Sequence, residues 1–316
     1  MDLQEAINRF ITVRETYCND KTVWNYKNTL RYMVDYFTLE FGVPAEQINV
    51  NEIMIDNINN YVLYLRGKIK NYGHPFNTAG GTLSKRSIRT YSIDMRTFFN
   101  WLEKYEITSH NEMKKFRMIK SESRSIIPIN QDQMKMIDDI YDINKEIGCR
   151  NLLMIHLMVD EGMRSSEVIN LTLENVNFED RYIVIRDGKG SKDRIIPISK
   201  NVTEYLNRYL KKVKRKSDAY ILQTRDGEQL TSNCIKNIFV RLKQKTEIKS
   251  LYPHLLRHTF ATSFVIAGGN LEILRYYLGH EDINTTQKYL HIATGLQFHK
   301  NVYRIDPIFF ERNYNL

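Results

Sequence analysis

Through the first hundred residues, apolar side chains recur every three or four positions, the period of helices with one buried face. Leu3, Ala6, Ile7, Phe10 and Ile11 mark the first such face. Asp20 is a candidate cap for a second helix carrying Val23, Tyr26, Leu30, Met33, Val34 and Phe37, which Gly42 and Pro44 end. Ile55, Ile58, Tyr61, Val62 and Leu65 predict a third. After a loop marked by Gly73, Pro75, Gly80 and Gly81, a fourth is predicted over Ser84 to Glu103, with Ile88, Tyr91, Met95, Phe98, Phe99 and Leu102 inward. Its opposite face carries Lys85, Arg86, Arg89 and Arg96, either a solvated basic face or a track for phosphates.

The apolar period fades from Ser109 to Arg124, where Lys114, Lys115, Arg117, Lys120 and Arg124 face only Glu112 and Glu122. This stretch reads as a basic linker between two domains, lying on DNA or simply flexible. The pattern beyond it is mixed. Asn130 with Gln133 is a helix start, and Leu152 to Val159 is a buried helix interrupted by His156. Tyr182–Arg186 and Arg194–Ile198 are β-type runs around the Gly-rich turn Asp187–Asp193, a hairpin with lysines at its tip. A basic-ended helix over Asn201–Lys216, a short strand over Ala219–Gln223 and a helix from Thr231 to about Lys243 follow. The architecture expected is an all-α N-terminal domain and a mainly helical α/β domain with a small antiparallel sheet.

The 316 residues suffice for two domains, and 42% hydrophobic with 26% charged residues fits a globular chain. The net charge of +9 is compatible with a nucleic-acid partner. Cys18, Cys149 and Cys234 are scattered and odd in number, as for reduced thiols in a cytoplasmic protein rather than a disulfide frame. The N-terminus lacks a signal-peptide pattern, and no stretch is long and apolar enough to span a membrane.

The densest chemistry lies between Leu251 and His291. Pro253 places His254 at the opening of a helix, and Arg257, three residues on, shares its face. Gly279 precedes His280, which is expected to begin another helix, Tyr289 stands nine residues after that histidine, and Gly295 is expected to break the chain just beyond. A guanidinium flanked by imidazoles suits a phosphate oxyanion, and a phenol beside it suits an oxygen nucleophile. His254 and His258 are also spaced for a metal, but no Glu follows His254 and no Cys or Asp stands at ligand spacing. Upstream, Gly162 breaks a helix and Ser165 or Ser166 begins the next, leaving Arg164 at the turn.

His254-x-x-Arg257, Leu278-Gly279-His280 and Tyr289 together resemble the hallmark of the tyrosine recombinase (phage integrase) family. Gly162-Met163-Arg164-x-x-Glu167 is similar to that family's first arginine signature, with Glu161 where its members usually have Thr. Leu255 likewise stands where many relatives have Asp. Gly188-Lys189-Gly190-x-Lys192 resembles its catalytic hairpin. The resemblance implies a helical, SAM-like core-binding domain over residues 1–110, a linker over 111–124 and a catalytic domain over 125–316. Its C-terminal tail would dock on a neighbouring subunit, or fold back on its own domain.

By the same resemblance, Tyr289 is the nucleophile and forms a 3′-phosphotyrosine. Arg164, Arg257 and His280 hold the phosphate, with Glu167 orienting Arg164. Lys189, or alternatively Lys192, is the general acid. His254 takes the tyrosine proton or bonds the phosphate, and His291 is left a structural role. No cofactor, metal or ATP is expected. The partner is double-stranded DNA with an inverted-repeat core site, bound by a homotetramer that is monomeric when free. DNA contacts would come from Lys85, Arg86, Arg89, Arg96, Lys114, Lys115, Arg117 and Lys120. The biological role would be integration or excision of a mobile element, or chromosome dimer resolution. A type IB topoisomerase, a DNA-binding protein that does not cut, and a phosphate-binding metabolic enzyme are the alternatives.

Overall fold

A computed structural model describes residues 1–69, 81–120, 126–186, 193–213 and 220–298, with side chains of the last helix to 295. The chain forms two compact units, Met1–Arg124 and Ser125–Leu316.

The first unit is helical among its described residues: α1 Leu3–Glu15, α2 Asp20–Phe41, α3 Ile55–Gly67 and α4 Lys85–Lys104. Every residue expected on the buried face of α1 is buried. The cap of α2 is Asn19 rather than Asp20: the Asn19 side chain accepts from the Thr22 amide, leaving Asp20 in the first turn, where its charge suits the helix dipole. Gly42 ends α2 at φ 67°, a left-handed position that favours glycine. Phe10 is the hub of the core. Its ring meets Tyr26, Phe98 and Trp101 edge-on at 5.3, 5.4 and 5.5 Å.

The described part of the expected linker, residues 111–120, is not a free connector. Met113 and Phe116 are buried in this core. Arg96 Nη2 donates to the Phe116 carbonyl at 2.9 Å and Arg89 Nε to the Ile119 carbonyl at 3.1 Å. Apolar anchors too few to show a period therefore pull the segment over α4, and two of that helix's basic residues hold it there.

The second unit holds α5 Gln131–Asp138, α6 Glu146–Val159, α7 Ser165–Ile169, α8 Lys200–Lys212, α9 Ser232–Thr246, α10 Pro253–Ile266, α11 Leu271–Leu278 and α12 Asn284–Phe298. Strands β1 Val176–Asn177, β2 Tyr182–Ile185 and β3 Arg194–Pro197 form an antiparallel sheet in that order. In β2–β3, Ile183 pairs with Ile196 and Ile185 with Arg194. The Asn130–Gln133 capping box opens α5. The described residues of the strand expected over Ala219–Gln223 do not join the sheet. Ile221 and Leu222 are buried, but the Ile221 amide bonds the Leu171 carbonyl, and the strand-type pairing of Gln223 with Gln229 is an isolated bridge. His280 does not begin a helix. Gly279, at φ 59°, closes α11, with its amide on the Tyr276 carbonyl and that of His280 on the Arg275 carbonyl. Helix α12 begins four residues after His280, and Gly295 lies inside it instead of breaking the chain.

His156 clamps α5 to α6: Nδ1 meets Asp160 Oδ2 at 2.8 Å and Nε2 meets Asp138 Oδ1 at 3.0 Å. Burial opposes its charge, but Asp160 and Asp138 outweigh that and push its pKa to about 10. The folded value thus lies above the unfolded one near 6.5, so the clamp is at full strength below pH 6.5 and is lost as pH rises through 10. His156→Leu is expected to lower the unfolding free energy by about 3–5 kcal/mol at pH 6. The difference should narrow toward pH 10, as read by urea titrations across that range.

Candidate active site

Three arginines converge on one carboxylate and one helix end. Arg164 caps α7 and reaches Glu167, three residues on, twice: its amide bonds Oε2 and Nη1 bonds Oε1, each at 2.8 Å. Arg194, from the start of β3, places Nη2 2.8 Å from Glu167 Oε2. Arg257, from α10, lies 4.0 Å from that oxygen. Burial works to raise the Glu167 carboxyl, but Arg194, the Arg164 amide and Arg257 hold it below its ordinary range.

The same arginines satisfy the end of α11. The last carbonyls of a helix lack internal partners and carry partial negative charge. Arg194 Nε donates to the Tyr277 carbonyl at 2.8 Å, Arg257 Nη2 to that of Leu278, and Arg164 Nη2 to that of Gly279 at 2.8 Å. Arg257 Nη1 also reaches the Gly162 carbonyl at 2.7 Å, at the turn where Gly162 adopts φ 66°. Tyr276 Oη accepts from the Ile195 amide at 3.0 Å, so β3 is pinned to α11 twice. Burial, with Arg164 beside it, lowers the Arg257 pKa to about 10 against the pull of Glu167.

His280 follows directly. Its Nε2 lies 3.3 Å from Arg257 Nη2 and its Nδ1 2.9 Å from Thr286 Oγ1. A guanidinium only donates, so Nε2 accepts and Nδ1 carries the proton. Burial and the charges of Arg257, Arg164, Lys288 and Arg194 push its pKa down to about 3. The imidazole stacks on Tyr289 with centroids 6.4 Å apart and planes 9° apart.

Tyr289 is 1% exposed and packs with Phe260, Ala261, Phe264, Leu274 and Leu278. Burial raises its pKa to about 12, although Arg257 and Arg164 pull it down. Its hydroxyl meets His258 Nδ1 at 2.8 Å. His258, not His254, is therefore the imidazole on the phenol. Burial and the charges of Lys288, His254 and Arg257 depress the His258 pKa to about 4. His254 is exposed; desolvation by its neighbours, then Arg257, Arg164 and Lys288, lower its pKa. Lys288 also stands 5.1 Å from the centre of the Tyr289 ring.

The structure thus brings together Arg164, Glu167, Arg257, His280 and Tyr289. To these it adds Arg194, His258 and Lys288, which the motif reading did not include. His258 was legible as the residue one turn after His254. Arg194 was legible from strand alternation, which puts it in phase with buried Ile196. Lys189 and Lys192 lie outside the described residues. A groove beside Arg164 is lined by Glu167, Val184, Ile185 and Arg186. His291 is exposed on α12. Glu161 is buried and accepts from the Ser199 amide at 2.7 Å, holding the start of α8.

On α4, Lys85 and Arg86 are exposed while Arg89 and Arg96 are half-buried. Lys114 pairs with Glu103, and Lys115 with Glu112 at 2.6 Å; Arg117 and Lys120 are exposed. Among the described residues, no helix is long and apolar enough to cross a membrane.

The model of the phage integrase family matches residues 127–295, and the chain belongs to that family. It is 28% identical over 310 residues to the tyrosine recombinase XerD of Listeria monocytogenes serotype 4b (strain F2365), covering 96% of this chain and 97% of the relative. To XerD of Listeria innocua serovar 6a it is 30% identical over 311 residues, with the same two coverages. The fold is similar to that of the Tn1549 transposon integrase in complex with a circular intermediate DNA, with a TM-score of 0.75 at 19% identity, covering 95% of this chain and 99% of that one. The protein is a tyrosine site-specific recombinase.

Glu167→Gln should lower the unfolding free energy by about 3 kcal/mol at pH 7, because it leaves three cations around a neutral group. The depressed carboxyl contributes stability above its unfolded pKa of 4.5 and loses it as pH falls through the folded value. The difference from wild type should therefore shrink in denaturant titrations below pH 4.5.

Proposed function

We propose that this recombinase cuts DNA by attack of Tyr289 on the scissile phosphate, forming a 3′-phosphotyrosine and freeing a 5′-hydroxyl. The observation that carries this reading is the single cluster in which the Tyr289 ring stacks on His280, His280 meets Arg257, and Arg257 and Arg164 share Glu167. Arg164 and Arg257 neutralise the nonbridging oxygens as charge builds, and His280 bonds them. His280 Nε2 is unprotonated in the free protein, so it donates only after the phosphate's charge draws a proton onto it. A phenol with a pKa near 12 needs both help in losing its proton and a polar environment. In the resting arrangement the hydroxyl is turned to His258, and it leaves that ring to meet the phosphate. His254, exposed beside Arg257, then bonds the phosphate or takes the proton. Lys189 protonates the leaving 5′ oxygen, with Lys192 the alternative donor. The ester energy held in the phosphotyrosine drives rejoining without metal or ATP, through a Holliday junction.

The first unit would serve as the core-binding domain, meeting DNA phosphates through Lys85, Arg86, Arg117 and Lys120 and the outward donors of Arg89, Arg96, Lys114 and Lys115. The substrate would be an inverted-repeat core site in the cytoplasm, bound by four copies that are monomers when free. The tail beyond Phe298, outside the described residues, would link neighbouring copies in a closed ring. Integration or excision of a mobile element, or chromosome dimer resolution, is the reaction this serves.

Tyr289→Phe should retain binding to a half-site and lose covalent attachment to a nicked suicide substrate, read by denaturing gel. A Tyr289→Phe protein that still attached would sink the assignment. Lys189→Ala should cleave poorly at an ordinary phosphate and recover with sulfur at the bridging 5′ position, because a thiolate leaves without a proton. Recovery of Lys192→Ala alone would move the role to Lys192.

A further inference from the structure

We infer that Arg194 is a positioning residue for phosphate binding, acting through Glu167 and the end of α11 to aim Arg164. This rests on the proposed role of Arg164 at the scissile phosphate. Arg194 is 3% exposed and does not open onto solvent, so it does not itself touch DNA. Its two bonds run to the two elements that hold Arg164, the Glu167 side chain and the end of α11: Nη2 to Glu167 Oε2 and Nε to the Tyr277 carbonyl. Glu167 Oε1 fixes Arg164 Nη1, and the Gly279 carbonyl, two residues past Tyr277, fixes Arg164 Nη2. Arg194 also fills the space beside Gly279: a Cβ on that residue would lie 3.0 Å from Arg194 Nη1 and 3.1 Å from Cζ. Arg194 opens the strand that returns from the Lys189 hairpin. Strand β3 and the phosphate-facing arginine are thus referred to one carboxylate.

A guanidinium makes both bonds because its Nε and Nη2 point in fixed directions, whereas an ammonium is a single point donor. Arg194→Lys keeps the charge and loses the fork. With the half-site affinity unchanged, it should slow cleavage of a nicked suicide substrate by about tenfold to a hundredfold, less than the loss of a whole oxyanion donor. The discriminating comparison replaces the scissile phosphate by a methylphosphonate, which lacks one charged nonbridging oxygen and so needs less neutralisation. If Arg194 acts through Arg164, both Arg194→Lys and Arg164→Ala should lose most of their deficit on that substrate. An Arg194→Lys deficit of equal size on both substrates, or none on either, overturns the inference. Failure of Arg164→Ala itself to recover, whatever Arg194→Lys does, would instead count against the proposed role of Arg164. Should Arg194→Lys not fold by circular dichroism, Glu167→Asp carries the same comparison. It keeps the charge and withdraws the carboxylate from one guanidinium, and an equal deficit on both substrates overturns the inference there too.

Discussion

The architecture of the second unit depends on holding three guanidiniums close together before any anion arrives. Like charges this near one another in a partly dry site repel, and a protein tolerates them only with compensating charge and dipoles. Glu167 supplies the one full negative charge, shared by Arg164 and Arg194 at 2.8 Å with Arg257 at 4.0 Å. The carbonyls of Tyr277, Leu278 and Gly279 supply the rest, because the end of α11 points its unpaired oxygens at the cluster. Gly279 makes that geometry available: its left-handed turn stops the helix and keeps those carbonyls from being used by further helical turns. The same turn delivers His280 to Arg257.

Compensation is incomplete, and the titrating groups register it. Arg257 falls to about 10 and His280 to about 3, each by burial with neighbouring cations adding to it. Tyr289 moves the other way, to about 12, because burial of the phenol outweighs the attraction of the arginines for a phenolate. In this resting geometry the hydroxyl is satisfied by His258 and the ring by apolar neighbours. The Tyr289 phenol is thus stabilised in its neutral form while the arginine cluster keeps an excess of positive charge. On the proposed role of these residues, a phosphate diester between the arginines would relieve their excess positive charge.

Much of this was legible in the chain, and the failures have particular causes. Helical periods located α1 to α4 because each buries one clear stripe, and Pro253 announced α10. Motif spacing picked out Arg164, Arg257, His280 and Tyr289, whose grouping depends on tertiary contacts between residues as far apart as 164 and 279. The local errors at Asp20, His280 and Gly295 arose where neighbouring residues compete for one role. Asn19 accepts the Thr22 amide, Gly279 acts as a terminator alone, and a glycine inside α12 is tolerated. The packing of residues 111–120 was not legible because two buried side chains, Met113 and Phe116, anchor a segment without any period. His258 was passed over because a sequence shows that two histidines share a helix but not which one a phenol faces.

Arg194 illustrates a more general point about charged residues in strands. A cation at an inward position of a β-strand normally argues against the register, since burying it uncompensated costs several kcal/mol. Here β3 keeps its register with Ile196 inward, and Arg194 beside it is also inward. The cost is offset by a carboxylate from α7 and a carbonyl from α11, two elements that reach the strand only in the finished fold. An arginine in phase with buried aliphatics is therefore a signal that partners converge there, and the partners in this case are those that hold Arg164. The strand register, the α11 terminus and the aim of the arginine cluster are consequently one constraint, and a change in any of them moves the others.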